Sequence, residues 1–132
     1  MSTKTAPKPS PRKTVGPAHM LQRAVQVGDV VAALRPFGIK QRTLAQATGV
    51  SVKTIRNWKK TSAIRERNED RLRDVRDLVL ILLHALTPRG VGQWFNAHNR
   101  LLQGRRPVEA LAGGDVKAVR EAANAYVEGA YV

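Results

Sequence analysis

A chain of 132 residues with 42% hydrophobic content has room for one domain, or one small domain and an appendage, around a real core. Its charge is lopsided: 23 Lys and Arg stand against 10 Asp and Glu, a formal net charge of +13. A field of that sign favours polyanions such as nucleic acid or an anionic membrane surface. The absence of cysteine excludes disulfides, thiolate metal sites and a cysteine nucleophile, and it fits a reducing cytoplasm.

The charge is graded along the chain. Residues 1–60 carry a net +11, residues 61–106 a net +4 and residues 107–132 a net −2. The front is suited to an anion and the back is not, which suggests two jobs. The longest apolar run, Leu78 to Leu83, falls far short of the ~20 residues of a membrane span. The basic N-terminus has no apolar stretch after it, so no signal peptide or membrane association is expected.

Residues 1–17 contain four prolines and four basic side chains, with no acid. Little there can be buried, so a disordered basic tail is expected. It serves either as a source of non-specific phosphate contacts or as a solubilising leader. From Ala18, the residues Met20, Ala24, Val27, Val31 and Leu34 recur on one helical face, and Pro36 should end that helix. Two short helices follow, Gln41 to Thr48 and Val52 to Lys60, with Gly49 between them and Ser51 as N-cap of the second. A long helix is expected from about Arg65 to Leu86. Its first half alternates charge, its stripe of Leu72, Val75, Val79, Leu82 and Leu86 faces inward, and Leu78 to Leu83 is apolar all round. Thr87-Pro88 opens a short helix through Phe95, Pro107 another over Val108 to Ala112, and Asp115 caps a last one to about Glu128. No segment alternates like a strand. The fold class is all-α.

The most informative stretch is Gln41 to Lys60. Ala45 supplies the small residue a helix-turn-helix needs, Gly49 the tight turn, and Leu44, Val50, Ile55 and Trp58 the apolar pins. Pinning those inward leaves Ser51, Lys53, Thr54, Arg56, Asn57 and Lys60 outward. Arg42 and Lys59 add to the basic face, and residues 35–60 hold seven basic side chains and no acid. Arginine can grip guanine and asparagine adenine with two hydrogen bonds each, so the second helix is expected to enter the major groove. The segment resembles the Xre-type family of bacterial helix-turn-helix proteins. An inert helical hairpin, or one reused for protein contacts, is the competing reading.

Residues 91–132 resemble the C-terminal domain of the Xre/MbcA/ParS-type antitoxins. The likeness rests on Trp94, Asn99, Leu102, the run Gly104-Arg105-Arg106-Pro107, Leu111, a glycine break, a final helix, and the ending Glu128-Gly129-Ala130-Tyr131-Val132. His98 stands where the family often has proline, and the N-terminal tail is an extra. This resemblance implies an antitoxin that holds a RES-domain toxin, of a family associated with NAD breakdown, inactive through its C-terminal domain. It also implies repression of the shared operon by binding operator DNA. It points to Asn99, Arg100, Arg105, Arg106, Tyr126, Glu128, Gly129, Tyr131 and Val132 as toxin-binding residues. In some family members the C-terminal end reaches the toxin's active-site entrance; plain intramolecular packing is the alternative role of Tyr126, Tyr131 and Val132.

The expected organisation is a tail over 1–17, a helix-turn-helix domain over 18–64, a connecting helix over 65–87 and a small helical toxin-binding domain over 88–132. Helix-turn-helix proteins usually bind as dimers to half-sites about 34 Å apart, so a homodimer is expected, with Leu78 to Leu83 as candidate interface. Catalysis, cofactor and metal are not expected. His19, His84 and His98 are scattered, and the carboxylates of residues 66–77 interleave with arginines. A stand-alone helix-turn-helix repressor of the prophage type, and a pure interaction adaptor, are the rival functions.

Overall fold

The computed structural model describes residues 16–24, 27–58 and 66–129. Among them are eight α-helices and no strand: α1 (Pro17–Arg23), α2 (Val27–Leu34), α3 (Gln41–Thr48), α4 (Val52–Trp58), α5 (Glu66–Leu82), α6 (Pro88–Asn96), α7 (Pro107–Ala112) and α8 (Val116–Gly129). Two 3-10 turns, Arg35–Phe37 and Arg100–Leu102, sit between α2 and α3 and between α6 and α7. The all-α class is as expected.

The start of the chain departs from expectation. One helix from Ala18 to about Pro36 is in fact two, because Ala24 turns to ψ 122° and closes α1 with its N–H on the Leu21 carbonyl. Pro17 is the first residue of α1, so it belongs to that helix and not to a tail. The break shifts the phase of the buried face. Leu21 is fully buried, while Met20, expected inward, is 55% exposed. Helix α1 packs on α2 and α5, and that contact, made far along the chain, selects Leu21.

The long helix buries Leu72, Val75, Leu78, Val79 and Leu82. The apolar run is less enclosed than its composition suggests: Leu80, Ile81 and Leu83 are only half-buried, packed against the rim of the core. Beyond Leu82 the chain relaxes into a turn, with the Leu86 N–H still reaching the Leu82 carbonyl. Thr87 then caps α6 by accepting from the Gly90 N–H at 3.2 Å, and Pro88 occupies the first helical position, where its missing N–H costs nothing.

The core joins the front and back of the chain. Buried side chains from Leu21 to Ala123 form one hydrophobic cluster, with α3 packed on α4, α5 and α7, and α8 packed on α5. Trp94 and Phe95 meet edge to face at 5.5 Å within it, a favoured aromatic geometry. Two glycines permit the closest approach. Gly38 ends the 3-10 turn at φ +74°, and Gly92 on α6 lies so near the Phe37 carbonyl that there is no space for a Cβ.

Arg71 on α5 ties two turns together. Its guanidinium donates to the Thr48 carbonyl at 3.0 Å, at the negative end of the α3 dipole, and lies against Gly49 and Gly114. Farther along, Arg120 of α8 reaches Asp74 of α5 at 3.5 Å. Burial raises the Asp74 pKa above its ordinary value, the nearby Asp77 and Asp70 add to the rise, and Arg120 opposes them. An acid whose pKa rises on folding contributes stability that is complete below its unfolded pKa of about 3.8 and is lost as pH rises through the folded value. Asp74→Asn is therefore expected to be neutral or slightly stabilising at pH 7, within about 1 kcal/mol for so exposed a pair. Its standing against the wild type should worsen as pH falls toward 4. Thermal melts across that range check this; a variant clearly less stable at pH 7 would show that the ion pair outweighs the burial cost.

Candidate DNA-binding and partner-binding surfaces

Helices α3 and α4 are joined by the turn Gly49–Val50–Ser51, with Gly49 left-handed at φ +78°. Only a residue without a side chain takes that conformation cheaply. Leu44, Ala45, Ile55 and Trp58 are buried and Val50 is half-buried. The Thr48 hydroxyl, also buried, donates back to the Leu44 carbonyl. Ser51 caps α4: its Oγ accepts from the Thr54 N–H at 3.1 Å and lies 3.0 Å from the Thr54 hydroxyl.

That pinning decides which of the expected DNA-facing residues are available. Lys53, Arg56 and Asn57 are exposed on one face of α4, at i, i+3 and i+4, and Arg42 is exposed on α3. Among the described residues Arg42, Lys53 and Arg56 have no carboxylate partner. Ser51 is exposed but engaged in the cap, and Thr54 is half-buried beside it. Lys59 and Lys60 lie outside the described residues. The result is a cationic and amide-bearing ridge on a short, well-anchored helix, able to meet phosphates and base edges.

The C-terminal candidates divide differently. Asn99 is half-buried and holds the loop over 98–105 in shape: its side chain accepts from the Leu101 N–H at 2.9 Å, and its backbone bonds to Arg105 and Gly104. His98 closes the same loop, with Nδ1 2.7 Å from the Gly104 carbonyl. A carbonyl only accepts, so Nδ1 carries the proton. A histidine thus staples this turn.

Arg105 donates to the Leu102 carbonyl and to Asp115, the latter at 3.1 Å. Glu109 accepts from the Arg106 backbone N–H at 2.9 Å and from its guanidinium at 3.2 Å, which opens α7. Those bonds from Arg106 hold the Glu109 pKa below its ordinary value, so its contribution to stability is present above the usual carboxylate pKa and is lost as pH falls through the lowered one. Both arginines are thus engaged within the chain, while Arg100 is exposed and, among the described residues, has no carboxylate partner.

Tyr126 is 44% exposed near the end of α8, followed by the exposed Glu128 and Gly129. Tyr131 and Val132 lie outside the described residues. Leu101 was missed in the sequence: it is 57% exposed beside Arg100, because the 3-10 turn drives Leu102 inward and its neighbour out. Its apolar character gave no hint of that, since Leu101 and Leu102 are indistinguishable without the turn.

Among the described residues no group of His, Cys, Asp or Glu is placed to hold a metal ion, and no helix is long and apolar enough to cross a membrane.

No family model matches the chain. In fold it is similar to a chain in the crystal structure of the MbcT-MbcA toxin-antitoxin complex of M. tuberculosis, with a TM-score of 0.67 at 21% identity over 83% of this chain and all of that one. In sequence it is 50% identical, over 115 residues, to a probable mycobacterial cidal antitoxin of Mycobacterium tuberculosis, covering 87% of this chain and 99% of that protein. A likeness of that extent, running nearly end to end through the relative, places the chain in the family of the mycobacterial cidal antitoxins.

Proposed function

We propose that this chain is the antitoxin of a two-protein toxin–antitoxin system, neutralising a RES-domain, NAD-degrading toxin and repressing its own operon in the cytoplasm. The observation that carries the reading is the 50% identity to a cidal antitoxin over almost that protein's whole length. The chain acts by binding and not by catalysis. Residues 18–64 engage operator DNA through Arg42, Lys53, Arg56 and Asn57, whose side chains are exposed together with a buried face behind α4. Residues 88–132 engage the toxin, with the connecting helix over 65–87 between them. The half-buried Leu80, Ile81 and Leu83 are the candidate contact for a homodimer. A monomer in light scattering at micromolar concentration would count against that contact.

Within the toxin-binding part, the exposed end of α8 and the Arg100–Leu101 corner are the contact points, while Asn99, Arg105 and Arg106 shape the loop that presents them. Co-expression with the protein encoded by the adjacent gene tests the pairing. A toxic neighbour should be rescued and should co-purify with the chain. Deletion of residues 129–132 should then abolish or sharply weaken rescue while leaving the melting temperature within a degree or two. A harmless neighbour that does not bind would favour a stand-alone repressor, and full rescue by the truncated chain would exclude insertion of the C-terminal end.

A further inference from the structure

The 3-10 turn Arg35–Phe37 packs against α6, and between them lies an open cleft of about 500 Å³. Arg35 stands on one wall. On the other, Arg89, Gln93 and Asn96 follow at i, i+4 and i+7 along α6, which is one helical face. Gly38 and Gly92 also line the cleft, and their lack of side chains lets the two backbones draw together and brings the arginines to a common space. No acidic residue lines it. Among the described residues neither arginine has an ion pair or a side-chain hydrogen bond, in contrast to Arg71, Arg73, Arg76, Arg105, Arg106 and Arg120. Asn96 uses one amide N–H on the Gly92 carbonyl at 3.0 Å and keeps the other.

We propose that this cleft is a phosphate-binding site, in which the Arg35 and Arg89 guanidiniums grip the phosphate oxygens and Gln93 adds an amide donor. Two arginines line a cleft with no carboxylate to balance them, so a bound anion would supply the negative charge that the lining lacks. The planar guanidinium fork matches the oxygens of a phosphate in two-pronged fashion, which a single lysine would not. No residue of α4 lines the cleft, and the proposal does not depend on the DNA-binding reading. The phosphate has two possible sources, a free polyphosphate and the backbone of a nucleic acid duplex.

The test is an amide NMR titration of the full chain with inorganic pyrophosphate and, separately, with a short duplex of arbitrary sequence. Saturable shifts at Gly38, Gly92, Gln93 and Asn96 with pyrophosphate are expected. They should weaken at least about tenfold in Arg35→Gln/Arg89→Gln and persist in Lys117→Gln, an exposed lysine on α8. Shifts there with the duplex alone would also support the site and assign the phosphate to a nucleic acid backbone; the double variant should then lower the salt slope of duplex binding by about two. Cleft residues that respond to neither probe, or a double variant that binds as the wild type does, would overturn the proposal. Lys53→Ala/Arg56→Ala should keep the pyrophosphate response, so failure of the cleft and failure of α4 as a DNA reader are read separately.

Discussion

Replacing Gly92 by alanine is expected to destabilise the chain by about 1–3 kcal/mol, the usual cost of overpacking a filled core. Helix propensity alone argues the opposite, since glycine inside a helix is about 1 kcal/mol worse than alanine. The neighbour decides the sign. A Cβ on Gly92 would collide with the Phe37 carbonyl oxygen and crowd the Phe37 carbonyl carbon and the Gly38 Cα at 3.3 and 3.5 Å. Those are backbone atoms, with no rotamer to escape into, so α6 and the 35–37 turn must move apart. Phe37, fully buried, would move with them.

Gly90, two positions before Gly92 and on another face of α6, provides the contrast. A Cβ there meets first the end of the Leu86 side chain at 3.2 Å, which can shift. Gly90→Ala should therefore stay within about 0.5 kcal/mol of the wild type, like most substitutions away from special features. Urea unfolding of both variants checks the pair. A Gly92→Ala chain as stable as the wild type would mean the two backbones do not approach as the structure has them.

The second large effect is on DNA. Lys53→Ala/Arg56→Ala should weaken binding to the operator by roughly 10²-fold, from one base-edge contact worth about 1–3 kcal/mol and one phosphate contact. The slope of log affinity against log salt should become shallower by about 0.9 for each phosphate left without its cation. Stability should hardly change, because both side chains are exposed and the anchors Ile55 and Trp58 are untouched. Asn57→Ala should cost specificity more than affinity for arbitrary DNA, if its amide reads adenine. Binding that is insensitive to salt, or unaltered in the double variant, would remove α4 from the DNA interface.

Much of the helical framework was legible locally. Thr87-Pro88, Pro107 and the Gly113-Gly114 pair mark helix ends by backbone chemistry that distant neighbours cannot change, and the elements fall close to those marks. The α3–turn–α4 unit was readable for the same reason, since Gly49 and Ser51 impose their conformations through their own backbone and side chain. The phase of α1 was not legible. Met20 and Leu21 are both apolar and adjacent, and one helical pattern fits either until a break at Ala24 and packing on α5 choose.

The candidate binding residues divide along the same line. Sequence placed Arg42, Lys53, Arg56, Asn57, Asn99, Arg100, Arg105 and Arg106 on plausible surfaces, but arginine type does not say whether a guanidinium is already engaged. Arg105 and Arg106 meet Asp115 and Glu109 because the loop over 98–105 folds back on itself; Arg35 and Arg89, 54 positions apart, come to one cleft because Gly38 and Gly92 let two backbones close up. By itself, the sequence determined the helical class, the helix ends marked by Thr87-Pro88, Pro107 and Gly113-Gly114, the faces of α3 and α4 and the uneven charge, all of which follow from periodicity, capping and composition within a few residues. Only the tertiary structure decided which side chains of like type are buried, paired or free, because burial and pairing are set by contacts between segments that the chain brings together only when the core forms.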